Sequence, residues 1–137
     1  MSKFLTPMIC EELEDTSHDG RGTWQLQAML AYQSDVAGKV IIAPKGFVTD
    51  LASVPRVPVA FLLAGGTANH AAVIHDWLYT SHEVPRDVAD AVLREAALVM
   101  GTPAWRAWMM WAGVRVGGSG AWTADGPAQP AGVLPAA

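Results

Sequence analysis

The chain reads as an α+β domain, a small N-terminal antiparallel sheet packed against a C-terminal three-helix unit, with a flexible C-terminal tail. Two observations predict it. Period-two alternation of apolar residues, punctuated by turn residues, is confined to the stretch before residue 50, whereas helical spacing with start and stop signals fills residues 67–116. Strands grouped first and helices afterwards give segregated α+β architecture, since a parallel α/β sheet would need them to alternate. At 137 residues one domain suffices, burying roughly two thirds of the surface of its unfolded chain.

Taken in order, residues 1–21 are an acidic, turn-rich arm, 22–116 the domain and 117–137 the tail. Trp24, Leu26, Ala28, Leu30 and Tyr32 lie on one side of an alternating pattern and predict a strand. Ser34 to Gly38 makes a turn, Lys39 to Ile42 the hairpin partner, and Phe47 to Thr49 a third short strand, while Pro55 and Pro58 keep the next stretch irregular. Thr67 or Asn69 caps a helix running to about Thr80. Pro85 opens a second, with Val88, Val92 and Val99 on its apolar stripe, and Gly101 closes it. A third runs from Ala104 to Val116, with Trp105, Trp108, Met109 and Ala112 at spacings of three and four and read as core with some spillover onto the surface. The last 21 residues hold five Gly and three Pro, a composition that builds no core and reads as a flexible tail.

Composition removes several function classes. Nine basic residues against thirteen acidic ones, scattered along the chain, leave no footprint for a phosphate backbone, so nucleic acid is not an expected partner. The single Cys10 excludes an internal disulfide and a cysteine-based zinc cluster. The N-terminus carries no signal-peptide apolar core, and no run approaches the eighteen apolar residues of a membrane span.

The chemistry concentrates where polar groups interrupt apolar sequence. His75 and Asp76 stand inside Ala71-Ala72-Val73-Ile74-His75-Asp76-Trp77-Leu78-Tyr79, and burying them costs free energy unless each has a partner. Neighbours on a helix diverge by about 100°, so the two cannot bond to each other; Tyr79 lies one turn beyond His75 on its own stripe. The short Ser81-to-Val84 connection turns the next helix back antiparallel and lets Asp90 face His75. That carboxylate would hold one imidazole nitrogen and leave the other as a general base, with Asp76 binding a metal or orienting water. A buried structural network explains the same residues, with Arg94 as an i,i+4 partner of Asp90. Asp50 and Ser53, in Gly46-Phe47-Val48-Thr49-Asp50-Leu51-Ala52-Ser53-Val54-Pro55, form a second wall of the site in the first reading and turn caps in the second. His18, His70 and His82 read as solvated.

The series Pro44-x-Gly46-Phe47-x-Thr49-Asp50-Leu51-Ala52-Ser53-Val54-Pro55, Ala72-x-x-His75-Asp76-Trp77-Leu78-Tyr79, Arg86-x-x-Ala89-Asp90 and Val114-Arg115-x-Gly117-Gly118 resembles the phage and prophage family catalogued as domain of unknown function 1353, over about residues 22–122. The resemblance implies a bacteriophage gene product, made in a host cytoplasm without a signal peptide and associated with the virion, whose partners are other virion proteins or a host-envelope substrate. Its pattern falls on Asp50, Ser53, His75, Asp76, Tyr79, Arg86 and Asp90, polar positions that point to a site. Separately, His75-Asp76-x-x-Tyr79 with Asp90 on the returning helix is similar to the helix pair of phospholipase A2. There the His activates water, the adjacent Asp binds calcium and the second Asp orients the His. The chain departs from that pattern in having no disulfides and no glycine-rich calcium loop.

Two functions follow. One is a small hydrolase-like protein with His75 as base, Asp90 and Tyr79 supporting it, and Asp76 with Asp50 holding a divalent cation, calcium or magnesium rather than zinc, while Ser53 and Arg86 line the site. The other is a non-catalytic virion component of the tail or baseplate.

Overall fold

In the computed structural model, residues 1–13, 23–49 and 69–124 are described. Six short strands come first: β1 (Lys3–Phe4), β2 (Cys10–Leu13), β3 (Thr23–Leu26), β4 (Leu30–Ser34), β5 (Lys39–Ala43) and β6 (Val48–Thr49). Helices α1 (Asn69–Ser81), α2 (Arg86–Val99), α3 (Ala104–Gly117) and α4 (Ser119–Ala124) follow. The α+β reading is correct, but the strands form two three-stranded antiparallel sheets, ordered β1-β4-β5 and β2-β3-β6.

The single strand expected from Trp24 to Tyr32 is therefore two strands in different sheets. Alternation continues through the break because Leu26, Leu30 and Tyr32 all face the same core, at 2 %, 0 % and 0 % exposure. The backbone between them changes partners: Leu26 N–H donates to Phe47 O and Gln27 N–H to Ile9 O, whereas Leu5 N–H donates to Ala31 O. The predicted β4–β5 hairpin is present, with Ser34 opposite Lys39 and Leu30 opposite Ala43.

Residues 1–13 are part of this domain and not a detached arm. β1 pairs with β4 and β2 with β3. Ser2 Oγ donates to Glu95 of α2 at 2.7 Å. The same carboxylate accepts from Tyr32 Oη, Ser34 Oγ and Val36 N–H at 2.9, 2.7 and 3.0 Å, so one side chain ties the N-terminus and the hairpin turn to the helices. Burial, reinforced by the Glu95 bond, pushes the Tyr32 phenol far above its ordinary range and keeps it a donor.

α1 is buried nearly all round, from Ala71 through Asp76 and again at Leu78 and Tyr79. Sheet residues Tyr32 and Ile41 join its Ile74 and Leu78 in one core with Val92 and Leu93 of α2 and Met110 and Val114 of α3. Pro85 caps α2 without offering an amide, as expected. At its other end Gly101, at φ 96°, takes the left-handed conformation that lets Gly101 and Thr102 donate to Leu98 O and Ala97 O, a Schellman stop. Among the described residues no helix is long and apolar enough to cross a membrane.

The expected α2 stripe holds at Val88 and Val92 and fails at Val99, and the α3 stripe is displaced. Val99 is exposed, and α3 buries Ala107, Met110 and Val114 while Trp105, Trp108 and Met109 face outward at 52 %, 51 % and 43 % exposure. An α3 with apolar residues on more than one face carries several candidate stripes. The segment expected as tail begins with α4, whose Trp122 packs against the core; residues 125–137 lie outside the described residues. Met110→Ala should cost about 2–5 kcal/mol in urea unfolding, whereas Trp108→Ser should stay within about 0.5 kcal/mol of the parent. The reverse order would mean that α3 packs through its tryptophan face.

Candidate functional site

α1 sets His75 and Tyr79 one turn apart, and their rings lie 4.3 Å apart. The His82-to-Pro85 connection, in which His82 itself adopts φ 54°, returns α2 antiparallel and aims Asp90 at both. Asp90 Oδ1 lies 2.8 Å from His75 Nε2 and accepts from Tyr79 Oη at 2.6 Å. Its Oδ2 accepts from Arg115 Nη1 at 2.9 Å, with Arg86 Nε 3.8 Å away. His75 and Asp90 are both fully buried. The predicted bond between them is present.

Arg86 joins the three helices. Its Nη2 donates to Val114 O and Arg115 O at 2.8 and 3.0 Å, satisfying carbonyls at the end of α3, while Nε donates to Tyr79 Oη at 3.3 Å. The i,i+4 partner of Asp90 is thus Arg86, on the N-terminal side, and not the expected Arg94. Asp90 points with Ala89 and Leu93 into the helix interface, and Arg94 falls on the exposed face of α2.

Environment assigns the protons. Burial lowers the His75 pKa and outweighs the attraction of Asp90, so the imidazole is neutral at pH 7. Burial pushes Asp90 up, but the bonds from His75 and Tyr79, the adjacent imidazole and Arg115 together outweigh it and hold the carboxyl below its ordinary range. Tyr79 is driven far up, by burial first and then by its bond to Asp90, and stays a phenol. An ionised carboxylate facing a neutral imidazole places the ring proton on Nε2 and the lone pair on Nδ1.

Asp76 points to the neighbouring side of α1 and is 5 % exposed. Its Oδ2 accepts from Thr49 Oγ1, the last described residue before Asp50. Thr49 was not among the residues singled out from sequence, yet it brings the end of β6 against α1. Asp50 and Ser53 lie outside the described residues. Among the described residues no group of three or more His, Cys, Asp or Glu side chains is arranged to hold a metal ion.

Arg115 was also not assigned a role from sequence. Its place in Val114-Arg115-x-Gly117-Gly118 is suggestive, but only the packing angle of α3 decides that it reaches Asp90. Of the histidines expected to be solvated, His18 lies outside the described residues. His70 is half-buried, with its ring edge-on to Phe4 at 5.3 Å and a buried Nδ1 that lacks a hydrogen-bond partner; burial lowers its pKa. His82 stacks on Trp122, ring centroids 3.5 Å apart and planes 8° apart.

The protonation pattern fixes the sign of the pH dependence. A folded His75 that resists protonation lets the unfolded chain bind the extra proton below about pH 6.5, so stability falls as pH drops through that range. Asp90, with a depressed folded pKa, contributes stability above about pH 3.9 that disappears as pH falls through its folded value. Unfolding free energies from urea titrations should therefore decline from pH 7 to pH 5, by up to about 1.4 kcal/mol per pH unit for each histidine involved. His75→Asn should flatten most of that limb and His70→Asn a smaller part. A parent midpoint independent of pH over that interval would contradict the neutral buried imidazole.

The model of one family, described as a protein of unknown function (DUF1353), matches residues 24–114, about two thirds of the chain. No curated protein and no solved structure matches the chain significantly. The matched span runs from Trp24 in β3 to Val114 in α3 and contains His75, Asp76, Tyr79, Arg86 and Asp90. The chain belongs to the DUF1353 family.

Proposed function

We propose that this protein is a small hydrolase in which His75 is the general base and Asp90 orients it. The observation that carries the reading is the 2.8 Å contact between His75 Nε2 and Asp90 Oδ1 inside a set of partners that keeps the imidazole neutral and the carboxylate ionised. In this chemistry the imidazole takes a proton from water as the oxygen adds to a carbonyl carbon or a phosphorus. Asp90 stabilises the imidazolium, which returns the proton to the leaving group. Tyr79, Arg86 and Arg115 hold Asp90 in place.

A divalent cation, calcium or magnesium, is part of the proposal through Asp76, with Asp50 as its second carboxylate. The described residues offer Asp76 and the Thr49 hydroxyl, short of the six or more oxygens such ions take. No step is therefore routed through a cation. The phage origin implied by the sequence resemblance makes a host-envelope ester, amide or phosphoryl bond the substrate class to try first.

A second reading, a non-catalytic virion component, is favoured by the outward Trp105, Trp108 and Met109, which offer apolar contact area to a neighbour. Under it the Asp90 network is architecture.

His75→Asn and Asp76→Asn separate the two. The parent should turn over one member of a set comprising a nitrophenyl ester, a nitrophenyl phosphodiester and phospholipid vesicles. His75→Asn should lose at least about 100-fold of that rate. Both variants should melt within a few degrees of the parent, and calcium or magnesium should raise the melting temperature of the parent but not of Asp76→Asn. Large destabilisation of both variants, with neither turnover nor a cation effect in the parent, would leave the architectural reading.

A further inference from the structure

Tyr79 is fully buried although its helix ends two residues later. What closes over it comes from the C-terminal end of the described chain. Gly118 approaches so closely that a Cβ there would stand 2.7 Å from Tyr79 Oη and 2.5 Å from Val114 O, so only glycine fits without displacing the phenol. Four residues on, the Trp122 indole meets the Tyr79 ring edge to face at 5.2 Å and lies flat on the His82 imidazole, whose Nε2–H donates to Trp122 O at 3.0 Å.

Among the described residues, little else fastens α4. Ser119, Gly120 and Thr123 are exposed, and the Thr123 hydroxyl donates only to its own helix, at Ser119 O and Gly120 O. A six-residue helix is far too short to be stable alone, so its position depends on docking. Among the described residues, the docking rests on one indole and one close glycine. Beneath them is the Tyr79 hydroxyl that shares Asp90 Oδ1 with His75.

We propose that Gly118 and α4 form a strap over the His75–Tyr79–Asp90 cluster, fastened by Trp122 on Tyr79 and His82, and that its release as a unit regulates access to that cluster. The inference rests on the reading of the cluster as a reaction site, since a buried dyad needs a route to substrate. Release exchanges the Trp122 contacts for solvent and leaves α1, α2 and α3 assembled through Asp90, Arg86 and Arg115. A segment held by few buried contacts opens at lower free energy than the core it covers.

The chain contains only two tyrosines, Tyr32 and Tyr79, both fully buried, so nitration by tetranitromethane followed by peptide mass spectrometry reads the opening directly. In the full-length parent, amides of α4 should exchange with solvent at least about tenfold faster than those of α1 and α3. Trp122→Ala should raise the nitration rate of Tyr79 by at least about tenfold and leave Tyr32 protected. Gly118→Ala should do the same by wedging the strap away.

Equal nitration of Tyr32 and Tyr79 in a variant would mean general loosening and would overturn the strap, as would unchanged protection of Tyr79. Should Trp122→Ala fail to fold, exchange in the parent decides: protection of α4 equal to that of α3 overturns the proposal. Nitration does not depend on turnover. A freed Tyr79 in a protein that hydrolyses nothing would end the reaction reading and leave the strap in place.

Discussion

The arrangement of the three long helices depends on one buried carboxylate. Asp90 brings negative charge into a fully buried position, where an unpaired ion would cost several kcal/mol, and every helix supplies part of the compensation. α1 contributes His75 and Tyr79, α2 contributes Arg86, and α3 contributes Arg115. Because Arg86 also bonds the terminal carbonyls of α3, the angle at which α3 crosses the pair is tied to the same charge. Apolar packing through Val92, Leu93, Met110 and Val114 holds the helices together, but it is far less directional than these bonds. Such directional bonds favour one packing over the others open to an α3 with apolar residues on more than one face.

Much of this was legible in the sequence because it depended on local rules. The start at Pro85, the stop at Gly101, the Ser34-to-Gly38 turn and the return of α2 toward α1 each follow from the conformational preference of a few residues. The facing of His75 and Asp90 then follows from helix geometry and a short connection. Other features depended on tertiary choice. Periodicity cannot report that β3 and β4 belong to different sheets when Leu26, Leu30 and Tyr32 face the same core. Nor can it select between the Trp105–Trp108 and Met110–Val114 faces of α3, since both are apolar at helical spacing. Arg115 and Thr49 escaped for a related reason: each is a surface-type residue in its own element and acquires a role only when another element arrives beside it.

Glu95 shows how far such unrecognised partners extend. The sequence assigns it no role. In the structure it accepts from Ser2, Tyr32, Ser34 and Val36, and so fastens the N-terminal strand and the hairpin turn to the same helix that carries Asp90 one turn and a half earlier. α2 thereby presents one carboxylate to the helices and another to the sheet. The N-terminal residues read as an arm are held in the domain by this bond and by pairing with β4.

A saturated network is usually taken as evidence against catalysis, but the donors to Asp90 are not equivalent. Tyr79 and the two arginines already supply donors to both carboxylate oxygens, and the arginines more than neutralise its charge. Without His75, Tyr79 and Arg115 would still donate to Asp90. The imidazole is the member whose ordinary pKa lies near neutrality, and burial holds it in the neutral form that a general base requires. Balancing the charge of Asp90 accounts for Arg86 and Arg115, whereas a neutral base is what His75 adds. That asymmetry, more than the existence of the dyad, is why the reaction reading is preferred, and it concentrates the question on a single side chain.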